Sequence, residues 1–97
     1  MDGYAVIHEG HRVLGAGQTQ DEALAMARTQ TDEPLGDHLK HRTFEAVYDE
    51  FYLLPATEGL MKAVIEHKEP KHFKVRQFGL GWIVDLPGAK EDHDEEE

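Results

Sequence analysis

The sequence predicts an α+β domain, a small two-layer arrangement of an antiparallel sheet and two helices in the order ββα-β(β)α-ββ. Three observations lead there. Residues 4–31 string together an apolar run, a Glu-Gly turn, a second apolar run and a helix cap. A second cap-and-stripe pattern begins at Thr57, and Gly79-Leu80-Gly81 separates two further apolar segments near the end.

In the first unit, residues 4–8 and 11–16 flank Glu9-Gly10, which fits a two-residue hairpin loop with Gly supplying a positive φ. That register pairs His8 with His11, Val6 with Val13 and Ala5 with Leu14. Both faces of the hairpin are partly apolar, so alternation does not settle which one meets a helix. Gly15 and Gly17 suggest a bulge or a close helix approach. Thr19-Gln20-Asp21-Glu22 matches a capping box, with the Thr19 hydroxyl taking a backbone N–H and Glu22 reaching back to the cap residue's own N–H. Ala23, Leu24, Ala27 and Thr31 form a narrow small-residue stripe, and the helix is expected to end near Asp32, before Glu33-Pro34.

Residues 32–42 form the main linker, broken by Pro34 and Gly36, with a short helical turn at residues 37–41. Residues 43–48 and 51–54 read as strands around Asp49-Glu50. Neither of those two is Gly or Asn, so a tight turn and one long bent strand both stay open. Pro55 closes the strand region. Thr57 caps a helix over residues 58–68, with Leu60, Met61, Val64 and Ile65 as its core stripe. Residues 73–78 and 82–86 form the final hairpin across a three-residue loop, with Trp82 expected as a core anchor.

Ninety-seven residues with 39% hydrophobic content suit one domain, placed at 1–89, with 90–97 as a solvated acidic tail. The absence of cysteine leaves no disulfide or thiolate metal site, and serine is absent too, which removes the commonest nucleophiles. No apolar run approaches the roughly 18 residues of a membrane span, and no signal-peptide pattern opens the chain. A soluble cytoplasmic protein without a cofactor is the expectation, and a homodimer stays open. The net charge of -10 is uneven: residues 1–58 hold eleven Asp/Glu against four Lys/Arg, residues 59–89 three against five, and the last eight residues six acids and Lys90. Such acidity argues against nonspecific duplex DNA binding, which depends on Lys and Arg neutralising phosphates.

Three clusters carry the candidate chemistry. Asp32, Glu33, Asp37, Glu45, Asp49 and Glu50 lie between the two helices, where an exposed acidic patch imitates a run of phosphates and docks on a Lys/Arg groove. Lys68, Lys71, Lys74 and Arg76 make an alternative basic patch, with a solvated strand face as the plain reading. His8 and His11 across a turn, and His38 and His41 at the same spacing, are two pairs that can each share a metal, although a site needs at least a third ligand. Solvated surface histidines are the plain reading of both pairs.

Two resemblances follow. Thr19, Glu22, Ala23 and Leu24, entered from a hairpin, match the strand–turn–helix pattern of HicB-type antitoxins, over about a quarter of the chain and without that family's C-terminal DNA-binding segment. In size, acidity and lack of nucleophiles the chain is similar to phage-borne anti-CRISPR inhibitors. That likeness implies a non-catalytic antagonist that occupies the nucleic-acid-binding surface of a host complex.

Overall fold

The computed structural model describes residues 3–67 and 72–87. The elements are β1 (Gly3–His8), β2 (Val13–Gly17), α1 (Gln20–Arg28), a short 3-10 helix (Asp37–His41), β3 (Phe51–Ala56), α2 (Glu58–His67), β4 (Lys74–Phe78) and β5 (Gly81–Asp85). They form the expected α+β fold with two helices, on a five-stranded sheet of order β2-β1-β3-β5-β4. The sheet is mixed rather than antiparallel throughout, because β3 meets β5 in parallel at Ala56 and Val84.

The layers also differ from expectation. Val6, Leu14 and Leu53 pack with Ala23, Leu24 and Ala27 of α1. Ala5, Ile7, Val13, Tyr52 and Leu54 pack with Leu60, Met61 and Val64 of α2 on the other face. The helices therefore cover opposite faces, which resolves the ambiguity of a strand apolar on both sides: it has two dry faces, each needing a cover.

The first turn is longer than a two-residue loop. The His11 N–H donates to the His8 carbonyl and the His8 N–H to the Arg12 carbonyl, with Gly10 at φ +87°. Ile7 then pairs with Val13 and Val6 with Gly15, so Leu14 is an extra residue that shifts the register of β2. The bulge lets Leu14 and Gly15 both face α1. A Cβ on Gly15 would lie 2.5 Å from the Ala27 nitrogen and 2.8 Å from the Ala23 carbonyl oxygen, so the close approach is to helix backbone.

Both helix caps form. The Thr19 hydroxyl accepts from the Glu22 N–H at 3.1 Å, while the Glu22 carboxylate accepts from the Gln18 N–H at 2.9 Å, one residue before the cap residue's own N–H. α1 stops at Arg28, short of Asp32. At α2 the Thr57 hydroxyl accepts from the Leu60 N–H and donates to Asp85 Oδ1 at 2.9 Å. Of its expected core stripe, Leu60, Met61 and Val64 are buried, but Ile65 is 41% exposed.

Residues 43–48 are not a strand, and β3 alone runs from Phe51 through Pro55 to Ala56. The Thr57 N–H points to Val84 on β5, so by the two-residue period the Pro55 nitrogen faces the same way. The β3–β5 ladder is confined to Ala56, and the missing N–H breaks no pair there. The last hairpin turns on Gly79-Leu80, with Phe78 opposite Gly81. Trp82 is half-buried beside Phe44 instead of anchoring the core. Lys68, Lys71 and the acidic tail from residue 90 fall outside the described residues.

Asp85 ties β5 to both neighbours. Besides Thr57, it accepts from the Leu86 N–H at 2.8 Å and from two nitrogens of Arg76 at 3.3 and 3.2 Å. Partial burial pushes its carboxyl up, yet the Leu86 N–H, the Thr57 hydroxyl and Arg76 together outweigh that and hold it below the ordinary aspartate value.

Leu24→Ala is expected to cost about 2–5 kcal/mol and Thr19→Ala about 1 kcal/mol, while Ile65→Ala stays near the cost of an ordinary surface change. Gly15→Ala is expected to destabilise by at least about 1–3 kcal/mol, since helix backbone must move to admit a methyl group. Urea melts check all four. Because the Asp85 value is lower in the folded state, its contribution is present above about pH 4 and is lost as pH falls through the depressed value. Asp85→Asn is therefore expected to lower stability at pH 7 and to flatten the acid limb of a stability–pH curve.

Candidate functional site

The tip of the first hairpin and the irregular segment before β3 meet at one end of the sheet. Two backbone hydrogen bonds join them, from the Asp49 N–H to the Glu9 carbonyl at 2.8 Å and from the Glu9 N–H to the Glu50 carbonyl at 2.9 Å. Ala46 and Asp49 sit at φ +55° and +73°, positions that disfavour side chains other than Asn and Asp. The Tyr48 ring covers Gly10 closely enough that a Cβ there would run into it. Arg42 secures the segment from below, donating to Glu50 Oε1 at 2.9 Å and to the Phe51 carbonyl at 3.1 Å, with its guanidinium 4.8 Å from the Tyr52 ring centre. Phe44 packs edge-on against Tyr52 at 4.9 Å. These anchors explain why residues with strand-like alternation leave the sheet: their side chains and backbone are satisfied by the hairpin tip and by β3.

Asp49 Oδ1 lies 2.7 Å from His8 Nε2 and 3.1 Å from His11 Nε2. The two imidazoles stack with centroids 4.0 Å apart, and Phe51 stacks on the other side of His8 at 4.4 Å. The hydrogen bond from His8 holds the Asp49 carboxyl below its usual range, desolvation opposes it, and His11 adds to the lowering. His8, His11 and Asp49 are the one group among the described residues that brings three His, Asp or Glu ligand atoms within 4.8 Å of one another.

A groove opens on either side of this ridge. On the α1 side, a space of about 370 Å³ is lined by His8, Glu33, His38, Arg42, Asp49 and Glu50 among others. On the α2 side, a space of about 510 Å³ is lined by Glu9, His11, Phe44, His72, Phe73 and Trp82 among others. One carboxylate oxygen of Glu9 is shielded from solvent and has no hydrogen-bond partner among the described residues.

The predicted site residues are thus redistributed. Of the six acids, Glu33, Asp49 and Glu50 share one groove, and Asp32 joins Glu33 and His38 around a neighbouring hollow. Asp37 is turned toward Lys40 at 3.5 Å, and Glu45 stands exposed on the irregular segment. The two histidine pairs do not form one four-histidine cluster: His38 shares the groove with His8, while His41 is exposed and lines neither groove. In the alternative basic patch, Arg76 is committed to Asp85. The sequence reading missed Glu9, Arg42, Phe44, Tyr48 and Trp82. The spacing His8-Glu9-Gly10-His11 marked the right turn, but the third partner, Asp49, is 41 residues from His8 and had been assigned to the acidic patch.

The positive φ at Asp49 gives a test of this junction. Asp49→Asn is expected to keep an unfolding midpoint near that of the parent, since Asn tolerates this conformation and accepts from both imidazoles. Asp49→Val is expected to have the lowest midpoint of the position's variants, as a β-branched residue is strained there.

No helix among the described residues is long and apolar enough to cross a membrane. In comparisons with known proteins, no family model, curated protein or solved structure matches the chain.

Proposed function

We propose that this protein is a non-catalytic interaction module that docks its acidic groove on a Lys/Arg-bearing surface of a partner protein. The observation that carries the reading is the convergence of Glu33, Asp49 and Glu50 from two separate segments on one groove. Arg42 neutralises Glu50, so the three carboxylates leave an excess of negative charge around a concave polar surface. Beside it stand large apolar side chains presented to solvent, Tyr48 at 67% and Val47 at 44% exposure, the combination that a central contact flanked by charge requires. A surface built to receive phosphates has the complementary chemistry. In that setting the protein acts as an antagonist that occupies the nucleic-acid-binding face of a larger complex. This narrows the acidic patch read from sequence, because Asp37 faces Lys40 and contributes less free charge.

An arginine-rich peptide serves as a probe. The full chain is expected to bind it with an affinity that falls steeply with salt, as exposed charges are screened beyond about 8 Å at physiological ionic strength. Glu33→Lys and Tyr48→Ala are expected to weaken binding several-fold, while removal of residues 90–97 mainly slows association. Binding that is unchanged by both substitutions and lost only with the tail overturns the groove as the docking surface.

A further inference from the structure

We propose that His8, His11 and Asp49 form a binding site for a transition-metal ion of the zinc class. The site shares Asp49 with the acidic groove proposed above but rests on a different observation, the gathering of three donor atoms. Two imidazole nitrogens and one carboxylate oxygen are a donor set suited to zinc, copper or nickel, whereas calcium and magnesium take mainly oxygen. The three donor atoms already lie together, all within 4.8 Å of one another. His8 Nε2 and His11 Nε2 approach the same oxygen of Asp49 at 2.7 and 3.1 Å. A tetrahedral ion with bonds of about 2.0–2.1 Å holds its ligands roughly 3.3–3.4 Å apart, so each imidazole–carboxylate separation opens by about 0.7 Å or less to admit one.

The surroundings favour that small adjustment over a rearrangement. The His8 ring is held between His11 and Phe51, and the Tyr48 ring lies 5.2 Å from His11. Asp49 is fixed from its own backbone by the bond to Glu9, in a conformation that directs its short side chain back over the hairpin. The Asp49 side chain is well exposed, so the remaining coordination positions face solvent and water completes them. An ion here joins two segments 38 and 41 residues apart, stapling the irregular segment to the hairpin tip beside a residue held at positive φ.

The proton accounting is simple. An imidazole hydrogen-bonded to the carboxylate donates from Nε2, since a carboxylate only accepts. Coordination through Nε2 requires the proton to sit on Nδ1 instead, so each ring changes tautomer through exchange with solvent, and a neutral ring releases no proton.

The test is a titration of the full chain with zinc, read by calorimetry and by nitrogen-15 spectra of the imidazoles. One ion is expected to bind saturably, with His8 and His11 passing to the Nδ1–H tautomer. His8→Ala, His11→Ala and Asp49→Ala are each expected to weaken binding by at least about tenfold, since loss of a direct ligand exceeds the 10–100-fold scale of outer partners at its low end. His38→Ala and His41→Ala are expected to leave it unchanged. Circular dichroism of the Asp49→Asn variant, which keeps the turn while weakening the donor set, separates loss of a ligand from loss of the fold. Absence of saturation, or saturable binding that survives in the His8→Ala, His11→Ala double variant, overturns the site. So does a tautomer change confined to other histidines.

Discussion

Ala5, Val6 and Ile7 are fully buried, and the strand that carries them is hydrogen-bonded to β2 along one edge and to β3 along the other. A strand in that position has no solvated side to spare, so the rest of the chain is disposed to cover it. The short helix α1 lies against one face with Ala23, Leu24 and Ala27, and α2 lies against the other with Leu60, Met61 and Val64. Small residues in α1 and glycines in β2 bring helix and strand backbones close, which lets a chain of this length exclude water from both faces.

The same strand sets up the candidate site. β1 ends at His8, just where its dry faces give way to solvent, and the turn that follows returns His11 to the same neighbourhood. Because β3 pairs with β1 over its whole length, with Phe51 opposite His8, the segment entering β3 is delivered to that turn. Asp49 arrives there in a conformation that costs backbone energy, offset by two backbone hydrogen bonds and two imidazole contacts. Site and core are thus consecutive parts of one strand register: a one-residue slip in the β1–β3 pairing would remove Phe51 from beside His8 and turn the histidine to the other face.

Charge is distributed by the same geometry. The acids between the helices look uniform along the chain, yet the fold sorts them into a groove set, Glu33, Asp49 and Glu50, and others whose neighbours are Lys40 or solvent. Arg42 has a structural part as well as an electrostatic one, since it holds Glu50 and the Phe51 carbonyl while lying over Tyr52. Aspartates near and far from the ridge are both held ionised, but for different reasons: Asp49 chiefly by an imidazole, Asp85 by a backbone N–H, a hydroxyl and a guanidinium acting against burial.

What the sequence determined by itself was local. The caps at Thr19 and Thr57, the hairpin glycines at 10 and 79, and the apolar stripes of both helices depend on residues within a few positions of one another, where turn chemistry and side-chain period act directly. The fold class followed from their order. Tertiary structure decided what depends on distant partners. The Leu14 bulge answers to α1 above it, Ile65 is left exposed while Leu60, Met61 and Val64 take the buried face of α2, and residues 43–48 leave the sheet as Phe44 finds Tyr52 and Trp82. The candidate site lay between these limits. His8 and His11 were legible as a pair because a turn fixes their separation, while Asp49 joined them only through strand pairing across 41 residues, a contact that no local spacing encodes.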